Sequence, residues 1–416
     1  MNNLINRLYQ KVKEKKNLFI YGTGSQGRGL LQTFLRTGIR PSGFIDKNPM
    51  IIGQKILGIP VFSPSILDNN EATKNYLIVI ATFFFQEEIT TFLRSKGFKE
   101  NEGYFLYTSL KPYDYVVEVS GICNLRCISC PRAERVVEKR HTTMMNLEDF
   151  QKVISKIRSE APFVGNIQLY QWGEPTMNRF LPEMIQHSRE NGILCTISSN
   201  LNYNADFKNI IKSKPECFRI SVSGIEDNYE ITHTGGKWNT FIKNIQTVSK
   251  FREKFYPEMK VELYFHRYKH NTKEEENIIR EICSNLKFEF HSVPAYLISL
   301  DDVLEYCEGK PLPSQAQKAR NLLLVDLDEG IRYSMKEKSY NCETSKVIMI
   351  NADLSVSTCM MFYNSKDNSL CSNYLETSLP EIISRKSNSS LCIRCKKYAL
   401  HRYCSVYAKI GEKDRY

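Results

Sequence analysis

With 416 residues, 42% hydrophobic and 25% charged, the chain is long enough for two or three domains and has the balance of a globular protein. No stretch approaches the roughly 18 apolar residues of a membrane span, and the polar, basic opening MNNLINRLYQKVKEKK is no secretory signal, so a cytoplasmic protein is expected. The net charge of +11 comes without a long single-sign block or an Arg–aromatic stripe, which argues for scattered surface charge or a phosphate-bearing ligand, with nucleic acid a minor alternative.

In chain order, NLFIYG (17–22), SGFIDK (42–47) and YLIVIAT (76–82) read as strands, with GTGSQGRGLLQTFLRTG and EEITTFLRSKG as helical stretches between and after them. That alternation predicts a parallel α/β sheet over residues 1–112. Gly22, Gly24 and Gly27 satisfy G-x-G-x-x-G between a strand and a helix, and Asp46 ends the second strand, where a ribose-binding carboxylate would stand. Two readings stay open: a nucleotide site, or glycines that only permit tight strand-to-helix packing. The unit also resembles the small Rossmann-like domains that precede some sugar-modifying enzymes of surface-polysaccharide pathways, which implies a nucleotide or nucleotide-sugar ligand.

Residues 113–300 hold six further candidate strands, YVVEVS, NIQLY, ILCTISS, CFRISVS, VELYFHR and KFEFHSV, most separated by amphipathic helical stretches. Six such units in a row predict a partial (β/α)6 TIM-like barrel with its chemistry at the carboxyl ends of the strands. Linker helices are expected from LDDVLEYCEG and SQAQKARNLLLVDLDEGIRYSMKEK, and IMINADLSVSTC predicts a hairpin turning at Asn351, Ala352 and Asp353 within a small cysteine-rich domain that completes 301–416.

Thirteen cysteines in a chain expected to be cytoplasmic point to metal or redox chemistry rather than disulfides. Cys195, Cys217, Cys283 and Cys307 are isolated and read as small buried apolar residues. Cys123, Cys127 and Cys130 crowd one loop past the first barrel strand. Three thiolates leave a tetrahedral zinc site one ligand short. On a four-iron four-sulfur cluster they leave one iron open to substrate or cofactor.

The C-x3-C-x2-C spacing resembles the cluster loop of the radical S-adenosylmethionine superfamily. Gly173 and Glu174 match its Gly-Glu motif, which holds the methionine amino group; Ser199 and Asn200 resemble its ribose and carboxylate contacts; Ser221 and Ser223, with Gly235 and Gly236 beyond, resemble its fourth-strand motif. Departures are Ser129 where an aromatic residue often precedes the third cysteine, Ser223 where Asp is common, and Thr234 where Arg is frequent. The resemblance implies a cluster on Cys123, Cys127 and Cys130, S-adenosylmethionine at its open iron, and reductive cleavage to a 5′-deoxyadenosyl radical. It implies an electron donor such as flavodoxin or ferredoxin.

Cys342, Cys359, Cys392 and Cys395 resemble the SPASM/twitch-like extension of that superfamily, which implies one auxiliary cluster, with Cys404 a substitute ligand and Cys371 spare. A structural zinc site is the alternative. Among other residues, Trp172 reads as packing, and Tyr170 and Gln171 carry no assignment. His266, Arg267 and His270 read as an exposed basic turn before a phosphate grip, and His291 is similarly placed. The expected function is a radical enzyme acting on a sugar or nucleotide-linked small molecule by dehydrogenation or epimerisation. Maturation of a ribosomally made peptide, RNA modification, and a non-catalytic zinc- and nucleotide-binding scaffold are the alternatives.

Overall fold

The computed structural model describes residues 2–82, 85–111, 113–133, 138–364 and 366–413. The chain divides into two compact units: Met1–Asp114 with Ile154–Ile167 and His187–Leu194, and Tyr115–Val153 with Gln168–Gln186 and Cys195–Tyr416.

The first unit opens with a helix that the sequence reading left unassigned, α1 (Asn2–Glu14), which buries Ile5 and Leu8. Six strands follow: β1 (Asn17–Tyr21), β2 (Gly43–Ile45), β3 (Lys55–Ile56), β4 (Ile59–Phe62), β5 (Tyr76–Ile80) and β6 (Tyr104–Leu106). They lie in the order β3-β4-β2-β1-β5-β6, all parallel except β3, which folds back on β4. Strand β1 is apolar on both faces because both are covered: Leu18 and Ile20 enter one core cluster, Phe19 and Tyr21 another. The helix α2 (Ser25–Arg36) leaves the carboxyl end of β1 and sinks Leu30, Leu31 and Phe34 into the first cluster. Each such burial contributes about 2 kcal/mol. Within this unit α2 runs so close to residue 165 that a Cβ on Gly29 would stand 2.9 Å from the Gly165 carbonyl. Arg36 donates from Nη2 to the Pro162 carbonyl at 2.6 Å and from Nη1 to that of Asn191 at 3.0 Å.

The remaining strands form one sheet. Strands β7 (Asp114–Val117), β8 (Asn166–Gln168), β9 (Leu194–Ser199), β10 (Cys217–Val222), β11 (Lys260–Arg267) and β12 (Glu289–Pro294) lie side by side in chain order. Parallel registers join β7 to β8 and carry on from β9 to β12. The hairpin strands β13 (Val347–Ile350) and β14 (Val356–Ser357) take the outer edge of β7, so β12 does not close onto it. The chain is therefore an α/β protein with an open six-stranded part-barrel, as the sequence predicts.

Strand periodicity sorts the side chains. Along β10, Phe218, Ile220 and Val222 are buried on one face while Arg219 and Ser221 take the other; β11 does the same with Val261, Leu263 and Phe265 against Glu262, Tyr264 and His266. His266 and Arg267 are thus the last residues of β11, in register with Val293 and Pro294, not part of an exposed turn. The helical stretch after Pro313 breaks in two, Ser314–Leu322 and Leu327–Lys336, because the Asp326 side chain caps the second helix by accepting from the Asp328 amide.

Candidate functional site

Just past β7 the loop carrying Cys123, Cys127 and Cys130 is pinned from two directions. The Arg126 amide donates to the Thr234 carbonyl at 2.9 Å and the Ile128 amide to that of Thr232 at 3.0 Å, and the Cys130 amide closes a turn on the Cys127 carbonyl. Thr232 and Thr234 therefore act on the loop as backbone partners. The Cys123 sulfur accepts from the Leu125 amide at 3.5 Å and from Asn200 Nδ2 at 3.8 Å. All three cysteines are free and none is fully exposed. Burial raises each thiol, Cys123 to about 12, while the Arg132 guanidinium pulls Cys123 and Cys130 the other way. Arg132 is itself buried and donates to the Gly121 carbonyl at 2.7 Å. Three thiols converging beside a cation form a donor set that a soft, positively charged group would convert to thiolates.

Ser129, where the resemblance leads one to expect an aromatic residue, bonds through its hydroxyl to the Tyr268 hydroxyl at 2.8 Å. Tyr268 directly follows β11 and is buried, so a different element brings an aromatic ring to the loop.

Gly173 stands where nothing larger fits: a Cβ would lie 1.8 Å from the Ser120 carbonyl oxygen. The amides of Trp172 and Gly173 donate to Glu118 Oε1 at 2.6 and 3.0 Å, and the Glu174 amide to the Ile122 carbonyl at 2.7 Å. Burial raises the Glu118 carboxyl to about 7 against those two amides. The Glu174 carboxylate faces inward: Oε1 accepts from the Thr176 amide and hydroxyl, and Oε2 from the Asn200 amide at 2.8 Å. Glu174 thereby ties the exit of β8 to that of β9. Asn200 continues the chain of contacts through Nδ2 to Asn124 at 3.1 Å, and Ser199 Oγ accepts from the Leu201 amide. Ser223 is buried against Thr232 and His233, at 2.7 and 2.9 Å. Burial, with His266 opposite, lowers His233 to about 3. Ser221 lies two residues back along the interior face, level with Tyr264. The structure thus links Cys123, Glu174, Ser199 and Asn200 into one bonded rim, with Gly173 adjoining Glu174 in the chain and Ser223 bonded to the Thr232–His233 segment that backs the loop.

Lower on the same face lies a polar cluster that sequence reasoning missed. Arg219 donates from Nε to Glu262 at 2.9 Å and from Nη1 to the Tyr170 hydroxyl at 2.7 Å; Lys260 joins Glu262 to Glu289 at 2.6 and 2.9 Å; and Tyr264 stacks on His291 at 4.7 Å. Burial works against the Glu262 carboxylate, yet its bond to Lys260 and the charge of Arg219 carry it down to about 2. Charged residues at alternate positions of otherwise apolar strands were the available signal. Trp172 packs as expected, edge-on to Tyr363 at 5.3 Å.

In the C-terminal region the Thr344 hydroxyl bridges Cys342 and Cys359 at 3.3 and 3.5 Å. Burial raises Cys395, with Cys359, Cys342, Cys392 and Cys404 adding to the effect, so five sulfurs share one environment. Lys386 is buried beside them, donating to the carbonyls of Val347 and Thr358. Cys371 sits apart in a bridge to Val356. Among the described residues, no three cysteine sulfurs lie within 4.8 Å of one another.

No family model matches the chain. Over 78 residues it is 32% identical to Fe-coproporphyrin III synthase of Methanosarcina barkeri, a stretch covering 19% of this chain and 18% of that protein. The match thus spans under a fifth of the relative's length. Among solved structures, the chain is similar to BtrN in complex with AdoMet and 2-DOIA, at 13% identity over 71% of this chain and 91% of that one, TM-score 0.39. It is similar to SuiB of Streptococcus suis bound to precursor peptide SuiA, at 14% identity over 70% of each chain, TM-score 0.45. For anSMEcpe with bound AdoMet the values are 15%, 72% and 96%, TM-score 0.43.

Proposed function

We propose that this chain is a radical S-adenosylmethionine enzyme. The observation that carries the reading is the loop of Cys123, Cys127 and Cys130, free, partly buried and bonded to the rim formed by Glu174 and Asn200. When bound, a reduced four-iron cluster supplies one electron to the sulfonium of S-adenosylmethionine, giving methionine and a 5′-deoxyadenosyl radical that takes hydrogen from the substrate.

The chain's residues do the rest. The three thiols of the loop would hold the cluster, with Asn200 bonded to the Cys123 sulfur. Glu174 ties the β8 and β9 exits together; Gly173 and Glu174 would hold the methionine amino group, while Ser199, Asn200, Ser221 and Ser223 would offer polar contacts to its ribose and carboxylate. Cys342, Cys359, Cys392 and Cys395 hold one auxiliary cluster, Lys386 offsets part of its negative charge, and Cys404 is near enough to replace a ligand. Arg219, Tyr170, Tyr264 and His291 give the interior a polar face suited to a sugar or nucleotide-linked small molecule, and flavodoxin or ferredoxin supplies the electron.

The test is low-temperature electron paramagnetic resonance of anaerobically purified, reduced protein. The expected result is a cluster signal that shifts when S-adenosylmethionine is added and does so no longer in Cys127→Ser. A protein that takes up zinc and gives no cluster signal after reconstitution sinks the reading.

A further inference from the structure

A second site lies wholly within the first unit. The sheet order reverses between β1 and β5, because β2 lies on the other side of β1. Ligands of open parallel sheets bind at such a point, outside the carboxyl ends of the strands. Here it holds a cavity of about 520 Å³, lined among others by Tyr21, Gly24, Ser25, Asp46, Ala81 and Ile89.

Three features of its wall point to a ligand. The N-terminus of α2 opens on the cavity with Gly24 as an N-cap that makes no side-chain bond, and no acidic residue stands in its first turn. Its free amides are therefore directed at an anion. Tyr21 is 2% exposed and lines the cavity, and its hydroxyl has no hydrogen-bond partner. A buried, unmatched hydroxyl is costly unless something fills the role. Asp46 accepts from the Thr23 amide and hydroxyl on Oδ2 but from the Asn48 amide alone on Oδ1, so acceptor capacity remains.

The glycines explain how the wall comes so close. Gly22 has φ +106, and a Cβ on Gly27 would lie 1.9 Å from the Gly22 carbonyl oxygen, so strand and helix pack with no intervening side chain. Gly24 is different: a Cβ there meets nothing within 4 Å. Its bareness serves the cavity, not the packing.

We infer that this cavity binds the nucleoside diphosphate part of a ligand, with phosphate on the α2 amides, the ribose diol at Asp46 and the Tyr21 hydroxyl, and the base against Ala81 and Ile89. The inference is independent of the cluster chemistry, and its test reads binding alone. Isothermal titration of the full chain with ADP and with UDP is expected to show one-to-one binding of at least one of them. Gly24→Asp places a carboxylate where the phosphate sits, while also supplying the helix with a favourable N-cap. Binding should fall at least tenfold, while the melting temperature stays level or rises. Tyr21→Phe removes the lone hydroxyl and should weaken binding about threefold to tenfold with no loss of stability. The inference is overturned if neither nucleotide binds at about millimolar concentration, or if Gly24→Asp binds as the native chain does.

Discussion

Glu118 has no place in any motif that the sequence displays, yet the Gly-Glu turn depends on it. Its buried carboxyl holds two consecutive amides and titrates near 7 instead of the ordinary 4.5. The folded state keeps its proton over that interval while the unfolded chain has lost it, so this group makes stability fall as pH rises from about 4.5 to 7, by a total on the order of 3 kcal/mol. Above about 7 the contribution is flat. Glu118→Gln keeps an acceptor for both amides and removes the titration. Urea unfolding at about pH 5 and about pH 7.5 should show the variant gaining on the native protein at the higher pH; equal differences at both would mean that Glu118 is not held as described. The cysteines, Gly173 and Glu174 were legible because each has a fixed spacing or neighbour. Glu118, Arg132 and Tyr268 were not, because their partners lie 54, 11 and 139 positions away.

Among elements, the exits of β7 and β8 are set by the Gly173–Ser120 approach. In Gly173→Ala the new methyl would meet a backbone carbonyl oxygen that cannot rotate away. The exits must separate, at a cost of about 3 kcal/mol or more, and the cysteine loop moves with them. A melting temperature lowered by several degrees together with poor iron retention is expected; a variant that melts and loads like the native chain would refute that spacing. Most of the six barrel strands were readable because apolar residues recur at alternate positions or in a short apolar run between polar turns. Two-residue β3 offers no such run, and α1 was passed over although its apolar residues at 4, 5, 8, 9 and 12 follow helical spacing.

At the scale of the whole molecule, the proposed function assigns two metal groups to the second unit, and cysteine replacement separates them. Cys359→Ser should lower bound iron from about eight to about four per chain and leave the S-adenosylmethionine-responsive signal in place. Cys371→Ser, in a bridge to Val356 away from the five grouped sulfurs, should change neither. Iron and sulfide analysis beside the resonance spectrum decides this, and loss of iron from Cys371→Ser would reassign the ligands. Cysteine spacing made the two groups visible in sequence, whereas the polar interior face of Arg219, Glu262 and Lys260 emerged only once neighbouring strands were in register.

The closeness of Gly29 to Gly165 bears on how this chain could be taken apart. The first unit is assembled from three stretches of sequence, and Phe163 closes on Phe34 edge-to-face at 6.1 Å while the Tyr107 hydroxyl donates to its carbonyl at 2.7 Å. A protease nicking the chain near residue 112 would therefore release no free-standing fragment, and a graft of residues 1–112 onto another enzyme would leave an apolar socket open where Phe163 belongs. The first unit is thus no detachable N-terminal cassette, because two of its three stretches, 154–167 and 187–194, return to it from far along the chain.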